Sequence, residues 1–213
     1  MIAVIPMKPL AHAKSRLAAE LDPLSRMSLA ANMLRRVLQA TTGASLSEVW
    51  VVGGEERVCR IALQRGACWQ AERGRGLNAA LQWAFERAWK VGRAALYLPG
   101  DLPFITAGDL RELVATSGNL AKIVLAPDRH RRGTNAILAP VGTDFEPALG
   151  PDSFQRQLSR AGKLGLPVAV CERLGLSCDL DTAEDLKAYR RREPALLSKL
   201  LAEGGELDER RSS

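Results

Sequence analysis

Short apolar runs ended by turn residues alternate with longer stretches in which apolar positions recur every three or four residues, and these two periods set the expected fold. Residues 2–5, 49–52 before Gly53-Gly54, 94–98 before Pro99-Gly100, 123–126 before Pro127, 136–138 and 168–171 read as strands. Helical spacing covers 24–40 through Met27, Ala30, Ala31, Leu34, Val37 and Leu38, and recurs at 55–65, 77–91, 107–116 and 182–192. The alternation predicts an α/β fold of three layers, a mostly parallel sheet with helices on both faces. Residues 126–152 interrupt it with Gly133, Pro140, Gly142, Pro147, Gly150 and Pro151, and read as a loop and hairpin insertion. Insertions of that kind often build a substrate pocket. Residues 1–192 are expected to form one domain, followed over 193–213 by a short helix and a loose Glu-, Arg- and Ser-rich tail.

The composition is that of a globular chain: 213 residues, 46% of them hydrophobic. The first residues carry no basic leader, and no segment approaches the roughly 18 apolar residues of a membrane span, so a cytoplasmic protein is expected. Cys59, Cys68, Cys171 and Cys178 show no CxxC spacing and only two histidines are present, which argues against a zinc cage or a disulfide framework. Thirty Lys and Arg against 24 Asp and Glu give a formal charge of +6, favouring an anionic partner. Single-stranded nucleic acid would want aromatic platforms among the basic residues. Aromatics are 5% of this chain, and Trp83, Phe85 and Trp89 fall in a helical pattern, so a phosphorylated small molecule fits better than nucleic acid.

Asp179 and Asp181, one residue apart, and Asp101 after the 94–98 strand are the candidate metal ligands. In an extended segment residues i and i+2 point to one side about 6.5 Å apart, so Asp179 and Asp181 can flank one cation with Leu180 turned to the core. Two bare carboxylates at that spacing repel by about 2–3 kcal/mol at an effective dielectric of about 20. An all-oxygen set suits Mg2+, completed by water and substrate phosphates. Thr182 with Asp185 also resembles a capping box, which explains Thr182 and leaves Asp179 without a reason. Asp101 read blandly is a turn residue.

After the first strand, Lys8, Lys14 and Arg16 with Ser15 form a loop suited to phosphates, although no GxxxxGK[ST] pattern is present. A solvated basic face is the plainer reading. Gly76 and Asn78 open a helix where an amide could meet a purine edge, or where Asn78 simply caps it. In the insertion, Thr134, Gly150 and Ser153 offer small donors and close backbone approach to a second anion, or ordinary hairpin chemistry.

Taken in order, Ile5-Pro6-Met7-Lys8-Pro9, Ala13-Lys14-Ser15-Arg16-Leu17, Leu98-Pro99-Gly100-Asp101-Leu102-Pro103, Pro127-Asp128-Arg129, Gly133-Thr134-Asn135-Ala136, Gly150-Pro151-Asp152-Ser153-Phe154 and Asp179-Leu180-Asp181-Thr182 resemble the phospholactate guanylyltransferases of coenzyme F-420 biosynthesis. That family shares the MobA-like, GT-A type nucleotidyltransferase fold, and the resemblance runs over about residues 2–192. It implies transfer of GMP from GTP to a small phosphorylated carboxylate, either 2-phospho-L-lactate, phosphoenolpyruvate or 3-phosphoglycerate, with release of pyrophosphate. Carried over by position, it makes Asp101, Asp179 and Asp181 the catalytic metal ligands and Thr134, Gly150 and Ser153 acceptor-binding. Leu149 and Ile137 depart from the family's usual Phe and Leu. A homodimer is compatible with this reading. Another nucleotidyltransferase of the same fold, with a different acceptor or base, is disfavoured by the missing glycine-rich N-terminal loop. A non-catalytic nucleotide binder is disfavoured by three clustered carboxylates.

Overall fold

The computed structural model describes residues 1–72 and 76–202; of the sequence features above, the tail over 203–213 lies outside the described residues. Seven strands form one sheet: β1 (Ile2–Met7), β2 (Glu48–Gly53), β3 (Cys68–Gln70), β4 (Ala95–Tyr97), β5 (Ile123–Pro127), β6 (Thr134–Ala139) and β7 (Val168–Val170), in the order β3-β2-β1-β4-β6-β5-β7. β6 runs antiparallel to both neighbours and every other pairing is parallel. The expected mostly parallel α/β sheet is therefore present.

Strand alternation sorts the core into two layers. Ala3 and Ile5 of β1, with Leu96 and Leu138, pack against α1 (Pro23–Gly43), α2 (Glu56–Gln64), α4 (Ala107–Thr116) and α6 (Leu174–Ser177). Ile2 and Val4 turn the other way, with Tyr97 and Ile137, onto α3 (Leu77–Lys90) and α5 (Ser153–Lys163). Both faces are covered, which is why the strands read as unbroken apolar runs. A third cluster joins Leu29 and Met33 of α1 to Leu186 and Tyr189 of α7 (Ala183–Arg192) and Leu197 and Leu200 of α8 (Pro194–Leu201). The short helix expected after residue 193 is thus α8, packed onto α1, where the Asn32 amide donates to the Leu200 and Ala202 carbonyls at 2.9 and 3.0 Å.

Helix starts follow local chemistry. Asp22 accepts from Ser25 N ahead of Pro23 in α1, and Thr106/Asp109 and Thr182/Asp185 close capping boxes on α4 and α7. Three elements differ from the sequence expectation. β3 is a three-residue edge strand, Cys68-Trp69-Gln70, with no apolar run to announce it. α5 buries Phe154, Gln157 and Ala161, and a buried glutamine breaks the apolar stripe that would have revealed it. α6 is four residues long, too short for any period to show. The insertion also does more than decorate: its β6 lies in the middle of the sheet with all six residues buried. Among the described residues no helix is long and apolar enough to cross a membrane.

Candidate active site

A cleft of about 660 Å3 opens where β1 and β4 end, lined in part by Lys8, Lys14, Arg16, Gly100, Asp101 and Asp181. The chain leaves Met7 through two short 3-10 turns, Leu10–His12 and Ser15–Leu17, anchored by the fully buried Leu10 and Leu17. Between them Lys14 takes a left-handed backbone conformation, φ 54° and ψ 36°. Its side chain is 6% exposed, and its ammonium lies 2.5 Å from Asp101 Oδ2 and 2.7 Å from Asp181 Oδ1. Asp101 follows Gly100, where a Cβ would force the Met7 side chain to move.

The second arm follows α6. Leu180 is wholly buried beside Leu17 and Leu29, so Asp179 and Asp181 are left on the other side of the segment, as the i, i+2 spacing required. Asp185 fixes the segment: one oxygen accepts from Asp181 N at 3.0 Å, Thr182 N at 2.7 Å and Thr182 Oγ1 at 2.8 Å. Arg16 stands 3.9 Å from Asp181 at the rim, largely exposed.

Electrostatics show one buried cation serving three acids. Burial works against the Lys14 ammonium, but Asp101 and Asp181 outweigh it and raise its pKa. Burial also opposes ionised Asp181, yet Lys14 and then Arg16 and Lys8 hold it below the usual carboxylate range. Asp179 gets less relief: burial, then the charges of Asp101 and Asp181, push it up to about 6 against smaller opposing effects of a backbone hydrogen bond and Lys14. Burial and the same three carboxylates drive the neighbouring Tyr97 hydroxyl far above its ordinary value.

Among the described residues no three carboxylate, imidazole or thiol groups converge to cage a metal by themselves. The clamp of three expected from the sequence is instead a seat made by Asp101 and Asp181, filled by the ammonium of Lys14, with Asp179 alongside. The donor set still fits a hard divalent ion: two carboxylates already close on one cation, and a third is short of positive charge.

Thr134, Gly150 and Ser153 are brought together, but outside that cleft's lining. Thr134 pairs with Pro127 at the start of β6, Ser153 opens α5, and their buried hydroxyls meet at 3.1 Å. Ser153 N donates to the Gly150 carbonyl at 3.1 Å, and Gly150 holds φ +123°, a conformation that needs glycine. Because β6 runs against β4 with Ile137 opposite Tyr97, Thr134 falls beyond the carboxyl end of β4, on the same edge as Asp101. The turn before it is organised by Asp128, which accepts from His130 N, Arg132 N and Gly133 N. A Cβ at Gly133 would stand 2.8 Å from Asp128 Oδ2, which accounts for that glycine.

Gly76 is the N-cap of α3, with φ 90°, and lines the cleft. Asn78 is not the cap. Its amide accepts from Leu149 N at 2.8 Å and donates to Leu149 O at 3.2 Å, so it pins α3 to the loop before Gly150 rather than facing a base. Sequence reasoning also passed over Arg129, Asp185 as a hub, and Tyr189, whose hydroxyl donates to the Asp179 carbonyl at 2.9 Å. Arg129 and Asp185 stood within recognisable motifs, whereas Tyr189 gave no signal beyond one aromatic on a helix.

A mostly parallel sheet binds its ligands beyond the carboxyl ends of its strands, where this one gathers acidic and basic side chains, and solved structures share its fold. A protein of Desulfovibrio desulfuricans described as a nucleotide-diphospho-sugar transferase superposes with a TM-score of 0.72 at 15% identity, over 93% of this chain and 97% of that one. A 4-diphosphocytidyl-2C-methyl-D-erythritol synthase gives 0.60 at 13% identity, over 89% and 97%. The particular family follows from sequence. The guanylyl transferase CofC-like family matches residues 1–189, and this chain belongs to it. A phosphoenolpyruvate guanylyltransferase of Rubrobacter xylanophilus is 43% identical over 187 residues, covering 87% of this chain and 91% of the relative. A 3-phospho-D-glycerate guanylyltransferase of Phenylobacterium zucineum is 36% identical over 179 residues, 81% and 82% of the two chains.

Proposed function

We propose that this nucleotidyltransferase moves GMP from GTP to the phosphate of a small phosphorylated carboxylate, phosphoenolpyruvate in the first place, releasing pyrophosphate on the route to coenzyme F-420. The observation that carries the reading is the cation seat between Asp101 and Asp181 at the ligand edge of the sheet. Relatives named for phosphoenolpyruvate run from 31% to 43% identity and a relative named for 3-phospho-D-glycerate stands at 36%; the 43% identity supports the first acceptor. Of the two departures from the family pattern, Ile137 is buried in the core and the Leu149 side chain packs, partly buried, against the same cluster.

An acceptor phosphate oxygen attacks the α-phosphorus of GTP and the bond to the β-phosphate oxygen breaks. The nucleophile is already ionised, so no side chain has to take a proton. The difficulty is bringing two polyanions together and stabilising charge on the α-phosphate and the leaving pyrophosphate. Lys8 and Arg16, at the mouth of the cleft with Ser15 between Lys14 and Arg16, meet the β- and γ-phosphates. Gly76 lets the nucleotide approach the start of α3 closely, while Asn78 holds that helix to the acceptor loop. Thr134, Ser153 and the Gly150 backbone hold the acceptor. Asp101 and Asp181, with Asp179 beside them, would hold Mg2+, which when bound neutralises the α-phosphate. These substrates are cytoplasmic metabolites, and four free cysteines suit that compartment.

Incubation with GTP, Mg2+ and each of phosphoenolpyruvate, 2-phospho-L-lactate and 3-phosphoglycerate, with pyrophosphate measured, should show release with phosphoenolpyruvate. Silence with all three would overturn the assignment. Asp101→Ala should lower turnover by about 10²-fold or more, as loss of a charge-stabilising group does, with an unchanged circular dichroism spectrum.

A further inference from the structure

Arg129 lies in the turn between β5 and β6 and touches the aspartate segment at three points. Its backbone N donates to the Ser177 carbonyl at 2.8 Å, at the end of α6. Its Nη2 stands 2.5 Å from Asp185 Oδ1, and its guanidinium carbon 6.0 Å from the centre of the Tyr189 ring. Two of these partners, Asp185 and Tyr189, lead to an active-site acid. The other oxygen of Asp185 holds Asp181 N, and the Tyr189 hydroxyl holds the Asp179 carbonyl. Tyr189 also meets Phe104 edge-on at 4.8 Å and 83°, three residues along the loop that bears Asp101.

We infer that Arg129 is a positioning residue that locks the aspartate segment to the acceptor hairpin, so that the geometry of the cation seat is set in part from the acceptor side. The inference rests on the guanylyl-transfer reading for what the hairpin binds. Two physical points support it. Asp185 is 5% exposed, and a buried carboxylate stripped of its partner would leave an uncompensated charge next to Asp181. Arg129 and Thr134 lie on one short turn closed by Asp128, so ordering of Thr134 by an acceptor bears directly on Arg129. Any such coupling is reciprocal: an acceptor that tightens the hairpin tightens the seat, and a cation in the seat favours the acceptor.

The test uses Arg129→Lys and the double variant Arg129→Met with Asp185→Asn, in which both charges leave together and the asparagine oxygen still accepts the cap hydrogen bonds. Thermal unfolding reports folding, and steady-state kinetics report kcat and both KM values. Electron paramagnetic resonance of Mn2+, with a GTP analogue whose α–β bridge is methylene, reports the seat with and without phosphoenolpyruvate. The wild type should bind Mn2+ more tightly when phosphoenolpyruvate is added. The folded double variant should lose that tightening and fall in kcat by about tenfold, as loss of a group that orients metal ligands does, with the KM for GTP nearly unchanged. Arg129→Lys, which keeps the charge but not the planar contact with Tyr189, should fall between, and decides alone should the double variant not fold. Wild-type kcat and wild-type tightening in either folded variant would overturn the inference, as would a lowered unfolding midpoint with untouched kinetics. If the wild type releases no pyrophosphate with any acceptor, the guanylyl-transfer reading fails by itself, and the Mn2+ affinity of wild type against variant still decides whether Arg129 holds the seat.

Discussion

Lys14 sits in the basic loop that the sequence reads as a phosphate site and lines the cleft, where it is clasped by two acids that are 87 and 167 residues away in the chain. No local pattern carries contacts at that separation, so the residue types at the site were legible and their pairing was not. Asp101 and Asp181 keep 29% and 42% of their side chains exposed. Lys14→Met should therefore cost about 2 kcal/mol, below the 3–5 kcal/mol of breaking a fully buried pair. Millimolar Mg2+ should recover most of the loss, because a cation bound to the folded state stabilises it by mass action. Urea denaturation with and without Mg2+ measures both. Gln157 is a second residue of interest: it is fully buried, and neither its Nε2 nor its Oε1 has a partner among the described residues. An orphaned buried amide costs about 1–3 kcal/mol, so Gln157→Leu should raise the urea midpoint. A clear loss of stability would show that the amide has a partner after all.

At the scale of elements, the helices with a clean apolar stripe and the strands with a continuous apolar run were readable, because each is buried on a face that its own sequence encodes. β3 and α6 escaped for lack of length, and α5 because its buried face includes Gln157. The capping boxes were half legible: Thr182/Asp185 stood out, but that Asp185 also holds the Asp181 amide could not be read from spacing. The two boxes make a matched pair for experiment. Thr106→Ala and Thr182→Ala should each cost about 1 kcal/mol by loss of an N-cap, measured by urea unfolding. Only Thr182→Ala should also slow pyrophosphate release, since its hydroxyl and amide share the Asp185 oxygen that fixes Asp181.

Across the whole molecule, the sheet divides the labour. On the proposed function, the nucleotide side is built from turns after β1 and β4, far apart in sequence, with the aspartate segment between α6 and α7 completing it. The other side is different, and the cause is β6. Because that strand turns back and slots between β4 and β5, Thr134 and, further along, Gly150 and Ser153 are brought together by a single unbroken length of chain anchored in mid-sheet. On the proposed function, acceptor choice is a trait carried by one cassette, which touches the half that handles GTP through Arg129 and through Leu149 against Asn78. Exchanging residues 127–154 for the matching stretch of the 3-phospho-D-glycerate relative should move acceptor preference, read as the ratio of kcat/KM values, and leave the KM for GTP where it was.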